Sequence, residues 1–405
     1  MGEPRDVAGL VEHFFRREHA RLLAALVRRL GAERLHLAEE AVQDALLAAL
    51  RTWPLTGVPE QPGAWLHTTA RNQALDALRR EASMRDKLPN LARSAAPVQA
   101  EDDLDEQLAM TFMCCHPALG PAEQVALTLQ CVAGFSAAEV ARAFFAGEAA
   151  IAQRLVRAKR RIAESRVPVE MPPPDELPGR LDAVLEVLYL WFNEGYTPRE
   201  REEPLREDLV DEAIRVCGLL ASHPAGDVPR THALLALMWF QSSRMRARID
   251  ADGALVPIEE QDRGLWDRLR ITQGALELQR AGRGSELTEY HLLAGIASCH
   301  TMPRTNWRRI ASLYDELAQD RPTFVVRLNR AVAVGRAEGP AAGLALLDAL
   351  GEERPLARNH LWHAARADCL HRLGRVEEAR SAYTLALDAA PTEPERIYLR
   401  RRVNE

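Results

Sequence analysis

Residues 135–162 carry two short helical patterns with a glycine between them, and they restrict the possible folds more than any other segment. Ser136 and Glu139 form a capping box, which predicts the start of the first helix. After Gly147, apolar residues recur every three or four positions, as one buried helix face requires: Ile151, Leu155, Ala158 and Ile162. Two such helices joined by a tight turn predict a helix-turn-helix.

The opposite face of the second helix is basic. It carries one glutamine and four arginines: Gln153, Arg154, Arg157, Arg160 and Arg161. The window 142–161 holds six Lys and Arg residues against a single Glu. A helix of this kind either enters the major groove of DNA or forms the solvated face of an ordinary helical bundle. The segments that precede it bear on this choice.

The rest of the chain also favours helices. Ala, Leu, Arg and Glu dominate, β-branched residues are sparse and no alternating strand pattern is present, so we expect an all-α fold. The length of 405 residues predicts two or three domains. Residues 1–168 hold equal numbers of basic and acidic residues, so the net charge of −6 belongs to the remainder. A basic patch on a neutral domain suggests a local DNA contact.

The cysteines do not form a recognisable metal or redox motif. There are six of them, at positions without C-x-x-C or His-x₃-Cys spacing: Cys114, Cys115, Cys131, Cys217, Cys299 and Cys369. We expect buried core residues, no metal site and no cofactor. No apolar stretch approaches 18 residues and the N-terminus is polar, which predicts a cytoplasmic protein with no membrane partner.

A second amphipathic helix is predicted in the run LAEEAVQDALLAAL. Its apolar side consists of small and aliphatic residues: Ala38, Val42, Ala45, Leu46 and Ala49. The opposite stripe is polar except for one leucine: Glu40, Gln43, Asp44, Leu47 and Arg51. This mixture suits a docking face for another protein and equally suits a solvated face.

A third helix is predicted from about Gly63, after a loop that begins at Trp53-Pro54 and includes residues 55–61. It reads GAWLHTTARNQALDALRRE. Helical spacing places five polar residues on one face: Thr68, Asn72, Asp76, Arg79 and Arg80.

These segments, in this order, resemble regions 2 and 4 of the extracytoplasmic-function (ECF) sigma factors of bacteria over roughly the first 165 residues. The resemblance implies docking on the clamp helices of the RNA polymerase β′ subunit through Gln43, Asp44 and Leu47. It implies that Leu55 to Gln61 capture a flipped-out base of the −10 promoter element.

Further roles follow from the same resemblance. It implies that the −10 duplex edge and backbone are met by Asn72, Asp76, Arg79 and Arg80. It implies that the −35 major groove is read by Gln153, Arg154 and Arg157, and that phosphates or the polymerase β flap are met by Arg160 and Arg161. Arginine suits the guanine N7 and O6 acceptors, which makes Arg154 the leading base reader.

The domain boundaries follow from composition and from this resemblance. We predict region 2 over 1–88, an acidic linker over 89–106, region 4 over 107–166, a Pro-rich linker over 167–179 and a C-terminal helical domain over 180–405. The acidic run from Glu101 to Glu106 fits a flexible linker, and it fits the acidic start of a helix near Asp105 as well.

The C-terminal domain shows helical-repeat spacing. Residues 360–391 fit the tetratricopeptide pattern, and residues 328–350 contain a degenerate copy. The segments WFNEGYT and IEEQDRGLWDR resemble recurrent parts of the ECF subgroup that carries a C-terminal tetratricopeptide-like extension. We expect these segments to supply contact residues for this domain: Asn193, Glu194, Tyr196, Gln261, Asp262 and Arg263.

The same residues raise the question of catalysis. They can line a pocket, and carboxylates can act as acids or bases. However, no nucleophile motif, phosphate-binding glycine loop or metal-ligand spacing accompanies them, so we expect no enzymatic activity. Ion pairs that cap helices explain these residues, with Arg263 pairing with a carboxylate.

The sequence therefore predicts a sigma factor that binds core RNA polymerase and promoter DNA. We expect the fused C-terminal domain to control it through a contact within the chain or with a protein partner. The alternative is a ligand-responsive helix-turn-helix regulator without a sigma role, which leaves residues 38–80 unexplained. A repeat scaffold with an incidental basic helix leaves even more unexplained.

Overall fold

A computed structural model describes residues 18–85, 100–143, 146–196, 206–353, 356 and 358–405. Within these ranges every regular element is a helix, apart from one isolated β-bridge between Ile249 and Leu255. The predicted all-α fold is confirmed. The chain divides into two compact units, Met1–Trp191 and Phe192–Glu405. The division falls inside a helix, and each unit is described separately below.

The first unit contains eight helices in its described part, the last of which continues past Trp191. They are α1 (residues 18–30), α2 (Leu35–Thr56), α3 (Pro62–Arg85), α4 (Ala100–Cys114), α5 (Pro121–Cys131), α6 (Ala137–Ala143), α7 (Glu148–Glu164) and α8 (Leu177–Tyr196). Helices α2 and α3 pack along each other. The predicted apolar face of α2 is buried apart from the half-buried Leu46, and Leu66 of α3 is fully enclosed.

Helix α2 runs further than the sequence predicted. The loop was expected from Trp53-Pro54, but the helix continues through Pro54 to Thr56. Proline removes one backbone donor, and the acceptor it leaves is the carbonyl of Leu50, an exposed residue whose carbonyl can be solvated. Gly57 ends the helix at φ +83° and donates its N–H to the Trp53 carbonyl at 2.9 Å.

Helix α4 begins at Ala100, so the acidic run Glu101–Glu106 is helical. Of the predicted linker 89–106, residues 89–99 lie outside the described residues. Glu106 is buried, and one of its carboxylate oxygens lies 3.9 Å from Arg28 of α1. Residues 100–106 therefore form the acidic start of a helix and not a flexible linker.

The predicted helix-turn-helix is present as α6 and α7. The capping box forms at the start of α6, where Ser136 N–H donates to Glu139 at 2.8 Å and Glu139 N–H donates to Ser136 Oγ at 3.2 Å. Gly147 precedes α7. The predicted apolar face of α7 is buried in full: Ile151, Leu155, Ala158 and Ile162. Helix α7 packs against α5 and α6.

The Pro-rich segment 167–179 lies within the first unit. Helix α8 begins at Leu177, and its Arg180 donates to the backbone carbonyl of Phe112 in α4 at 2.6 Å. This contact ties the start of α8 to the helices before it. As a result, the division between the units falls at Trp191/Phe192 and not in the Pro-rich segment.

The second unit continues with ten helices in its described part. They are α9 (Glu207–Ser222), α10 (Pro229–Ser242), α11 (Arg268–Ala281), α12 (Glu289–Thr301), α13 (Trp307–Asp320), α14 (Phe324–Ala337), α15 (Pro340–Glu353), α16 (His360–Arg372), α17 (Val376–Ala389) and α18 (Glu393–Asn404). Helix α10 is central, with eight consecutive buried residues from Thr231 to Met238, and it packs against α9, α11 and α12.

A buried histidine joins α10 to α11. His232 Nδ1 lies 2.5 Å from Glu277, and Nε2 lies 2.8 Å from Asp227. These two carboxylates raise the pKa of His232, with the Glu277 hydrogen bond as the largest cause, against the lowering effect of burial. When it is protonated, the imidazole can donate from both nitrogens and so stabilise this junction.

The segments with repeat spacing form helix hairpins. Helices α14 and α15 cross closely at Gly335 and Gly343, where a Cβ on Gly343 would stand 2.7 Å from the Gly335 Cα. Helices α16 and α17 are joined at Gly374, which has φ +78°. Between them the small and bulky residues of the pattern are buried, including Ala367, Leu370 and Tyr383.

Candidate nucleic-acid and protein interfaces

The outer stripe of α2 is exposed. Because the opposite face packs in the core, Gln43, Asp44 and Leu47 face solvent. Leu47 is 48% exposed and Leu50, one turn further, is 56% exposed. Leu50 was not among the predicted contact residues, although its spacing from Leu47 places it on the same stripe. Two adjacent exposed leucines flanked by polar groups suit a protein-docking face.

The loop between α2 and α3 is anchored by two tryptophans. Trp53 near the end of α2 and Trp65 near the start of α3 meet edge to face, with ring centroids 5.6 Å apart. Of the predicted base-capturing segment Leu55 to Gln61, the first two residues belong to α2. The apolar side chains of Leu55, in the last turn of α2, and Val58, in the loop, are exposed.

The polar face of α3 is solvent-exposed along its length. Asn72, Asp76, Arg79 and Arg80 are all exposed. Arg79 pairs with Asp76 at 3.0 Å, and Arg80 donates to the Asp76 carbonyl at 3.3 Å. Both contacts are local and solvated, so they hold the two guanidinium groups weakly.

Helix α7 carries the three residues predicted to read the −35 major groove. Gln153 and Arg157 are exposed and Arg154 is half-buried. Within the described ranges, Arg154 and Arg157 make no ion pair or side-chain hydrogen bond. The apolar Val156, between Arg154 and Arg157, is exposed as well, although it was not among the predicted contact residues. Cations held on a rigid helix without a carboxylate are available to an external anion or base edge.

Arg160 and Arg161 differ from these two. Arg160 pairs with Glu164 at 2.8 Å on the surface of α7. Arg161 pairs with Glu123 at 2.7 Å, and Glu123 also accepts the backbone N–H of Gly120 at 3.0 Å. The Arg161 pair joins α7 to the start of α5, so it helps to position the second helix of the helix-turn-helix.

A buried ion pair joins α7 to α2. Lys159 Nζ lies 2.7 Å from Glu39 Oε2, and their side chains are only 18% and 11% exposed. His19 of α1 lies in the same region, where burial, helped by the Lys159 cation, lowers its pKa to about 4. From the sequence, Lys159 was predicted only as one of the six basic residues in the window 142–161. No local signal pairs it with a residue 120 positions away.

In the second unit, Tyr196 is buried under arginine. The Arg248 guanidinium lies 3.9 Å from the Tyr196 ring centroid and donates to the Tyr196 carbonyl. Phe192 stacks on the Tyr196 ring, with the two ring centroids 5.5 Å apart. Asn193 and Glu194 are half-buried on the same helix end. Tyr196 therefore contributes to the core and does not present a contact surface.

The segment Gln261–Arg263 is held by local hydrogen bonds. Gln261 is buried and donates to the Val256 carbonyl at 3.0 Å. Asp262 caps a single helical turn by accepting from Gly264 N–H at 2.8 Å. Arg263 donates to the Met302 carbonyl and to Thr305 Oγ1, the latter at 3.1 Å. The prediction that Arg263 pairs with a carboxylate is wrong, because both of these acceptors are neutral oxygens of residues that follow α12.

In the described part of the chain, no three His, Cys, Asp or Glu side chains are grouped closely enough to hold a metal ion. Among the same residues, every helix is too short or too polar to cross a lipid bilayer.

Comparison with known families assigns two segments. The sigma-70 region 2 family matches residues 15–84, which include the α2 and α3 faces. A family of unknown function, DUF6596, matches residues 180–282. No solved structure matches the chain.

Several curated proteins are similar to the chain. An uncharacterized protein of Rhizobium meliloti, R00370, is 40% identical over 387 residues, which cover 91% of this chain and 90% of the relative. The ECF RNA polymerase sigma factor SigM of Mycobacterium tuberculosis is 32% identical over 38% of this chain and 74% of its own length. The probable ECF sigma factor SigI of the same organism is 26% identical over 42% of this chain and 65% of its own length. The chain belongs to the ECF sigma factors, as a member with a C-terminal helical extension.

Proposed function

We propose that this protein directs promoter-specific transcription initiation by binding core RNA polymerase and promoter DNA, under the control of its C-terminal unit. The observation that carries the proposal is the sigma-70 region 2 match over residues 15–84, supported by relatives named as ECF RNA polymerase sigma factors. The chemistry of RNA synthesis then belongs to the polymerase, and this chain contributes recognition.

Polymerase docking is assigned to the outer stripe of α2, on the clamp helices of the β′ subunit. Leu47 and Leu50 supply apolar area, and Gln43 and Asp44 supply polar contacts at its edge. Aliphatic residues with a polar rim are the usual anatomy of a protein interface. The exposed leucines support this assignment, because a solvated helix face needs neither of them.

Recognition of the −10 element is assigned to α3 and the preceding loop. Arg79 and Arg80 lie on the exposed face with Asn72 and Asp76, so phosphate and base contacts can form along one line. A base flipped out of the duplex needs an apolar surface to receive it. The exposed Leu55 and Val58 are placed to supply that surface.

Recognition of the −35 element is assigned to α7. Arg154 and Arg157 have no intramolecular partner among the described residues, so binding a guanine edge breaks no ion pair. Gln153 flanks them. Arg160 has only an exposed i,i+4 partner, Glu164, and can exchange it for a phosphate. Arg161 can serve the polymerase flap or DNA only after leaving Glu123.

We assign the control of transcription to contacts that the surface of the C-terminal unit makes with a partner. Tyr196 and Gln261 are buried, so they maintain the fold, whereas Asp262 and Arg263 are exposed enough to meet a partner. Asn193 and Glu194 are half-buried between these extremes. The partner is either another part of the chain or a separate protein, and the acidic excess of residues 169–405 favours a basic surface.

In vitro transcription with purified core polymerase tests the sigma role. Asp44→Arg reverses charge within the α2 stripe, and it should lower both core binding and promoter-specific transcripts about tenfold or more. Asp182→Arg on α8, an exposed site far along the chain, serves as the matched charge control. Tight binding of promoter duplex without polymerase, and no initiation with it, would favour the alternative regulator.

Removal of the second unit tests the control. A chain that ends after Tyr196 keeps α8 whole. At equal polymerase occupancy we expect its promoter-specific transcription to fall strongly, because the extension assists initiation in this interpretation. Circular dichroism checks that the shortened chain remains helical. Equal output from both chains would contradict control by the second unit and leave it as a docking site for another protein.

A further inference from the structure

A cavity of about 130 Å³ lies inside the second unit, and neither the sigma role nor the repeat pattern explains it. Helices α10, α12 and α13 form its walls together with Trp266. Apolar side chains such as Phe240 and Ile296 line part of it. The remaining lining is polar and includes Gln241, Arg244 and His300. Its volume is close to that of an engineered apolar cavity that holds a benzene molecule, about 150 Å³.

Three polar atoms of residues around the cavity are buried and have no hydrogen-bond partner among the described residues. They are Gln241 Oε1, Trp266 Nε1 and His300 Nδ1. Trp266 is only 5% exposed, so water outside the protein does not satisfy its indole N–H. Most buried polar groups in folded proteins have a partner, and an exception needs an explanation such as a water or a ligand. The three residues line one space, so one small molecule can contact all of them.

The cavity also carries a positive charge without a carboxylate. Among the residues that the structure describes, Arg244 makes no ion pair, and its only recorded side-chain contact is with the Tyr196 ring at 5.7 Å. Burial, Arg244 and Arg263 together lower the pKa of His300 to about 4. The imidazole is therefore neutral at physiological pH and accepts or donates one hydrogen bond. The cavity thus presents one cation, one N–H donor and acceptors.

Two larger cavities in the same unit differ in this respect. In the cavity of about 530 Å³, the arginines are paired with carboxylates at 2.6–2.8 Å: Arg215 with Glu212, Arg270 with Asp211 and Arg280 with Glu277. In the cavity of about 410 Å³, Arg401 pairs with Asp250 and Arg402 with Glu405. Of the three, only the small cavity leaves its arginine available to an external anion.

We propose that this cavity binds a small 2-hydroxy carboxylic acid, whose carboxylate meets Arg244 and the Trp266 N–H and whose hydroxyl donates to Gln241 Oε1. The volume admits a molecule of about six non-hydrogen atoms, the size of lactate. A carboxylate alone leaves the Gln241 oxygen without a donor. An amino acid brings an ammonium group into a space whose one charged side chain is a cation, which is unfavourable. The neutral hydroxyl avoids both costs.

The wall that carries Trp266 is fixed from outside the cavity. Arg263 lies 5.1 Å from the Trp266 ring centroid and bonds the end of α12 at Met302 and Thr305. Trp266 N–H therefore stays in place when the cavity is empty, which is the pre-organisation that a small ligand needs.

Titration calorimetry and thermal unfolding of the full chain test the proposal. Lactate and glycolate are the probes, propionate lacks the hydroxyl, and alanine replaces it with an ammonium group. We expect lactate or glycolate to bind at least about tenfold more tightly than propionate or alanine and to raise Tm. Trp266→Phe, which removes the indole N–H together with part of the ring, and Arg244→Met should each weaken binding about tenfold or more. Arg246→Met, an exposed neighbour outside the cavity, should leave binding unchanged.

Each other outcome counts against the proposal. No heat and no Tm change with any of the acids at millimolar concentration would overturn it. Equal binding of propionate and lactate would show a general anion site and would overturn the assignment of Gln241. If Arg244→Met does not fold, Trp266→Phe and Gln241→Leu carry the test, because neither removes a charge. An unchanged lactate affinity in both would place the binding site elsewhere.

Discussion

Glu39→Gln is expected to loosen α7 from α2. The substitution keeps the size of the side chain but removes the charge that faces Lys159 at 2.7 Å. Loss of one partner of a fully buried pair costs about 3–5 kcal/mol, because the other charge remains buried. The side chains of Glu39 and Lys159 retain 11% and 18% exposure, and Glu39 Oε1 has no hydrogen-bond partner. We therefore expect a smaller cost of about 2–4 kcal/mol.

Hydrogen exchange of the α7 amides measures this cost directly. Local opening of α7 should become easier by the stated amount, while amides of α10 in the second unit should not change. In a double-mutant cycle with Lys159→Met, the coupling should be about 1–3 kcal/mol. Glu164→Gln is the matched control, because its pair with Arg160 is 63% and 76% exposed and contributes about 0.5 kcal/mol or less. A coupling as small as that of the control would refute the reasoning.

Two further predictions concern DNA and pH. Arg154→Ala should cost about 1–3 kcal/mol at the −35 element and relax the preference at one base position. Arg160→Ala should instead weaken binding evenly across promoter sequences and flatten its salt dependence. Identical behaviour of the two variants in a promoter-variant series would contradict this division. The raised pKa of His232 means that its contribution to stability is complete below its unfolded value of 6.5 and is lost as pH rises through the folded pKa. The second unit should therefore unfold at lower denaturant concentration as the pH rises above 6.5 and through the folded pKa of His232. His232→Gln should remove most of that dependence, together with much of the acid-side loss from Asp227, whose pKa is lowered mainly by the same contact.

The periodic features were predictable from the sequence. The apolar face of α7 and the capping box at Ser136 depend on neighbours within one or two turns, so local spacing was sufficient for both. The exposed stripe of α2 followed from the same rule, because its other face consists of small apolar residues.

The tertiary contacts were not predictable in the same way. Lys159 and Glu39 are separated by 120 residues, and nothing in their local sequence marks either one. Arg263 was expected to meet a carboxylate, but backbone and hydroxyl oxygens at the end of α12 take that place. The extension of α2 through Pro54 depends on the solvent exposure of one carbonyl, which a propensity rule does not contain.

The contact between α7 and α2 has a consequence for promoter recognition. Elements named −10 and −35 lie about 85 Å apart along straight duplex, at 3.4 Å per base pair. A compact unit the size of Met1–Trp191 has a radius of gyration of about 16 Å. Under the proposed function, α3 and α7 therefore reach their elements together only after Lys159 leaves Glu39. The coupling of about 1–3 kcal/mol between these two side chains then sets a threshold, and polymerase must bind the separated arrangement roughly 5- to 150-fold more tightly than the compact one to overcome it.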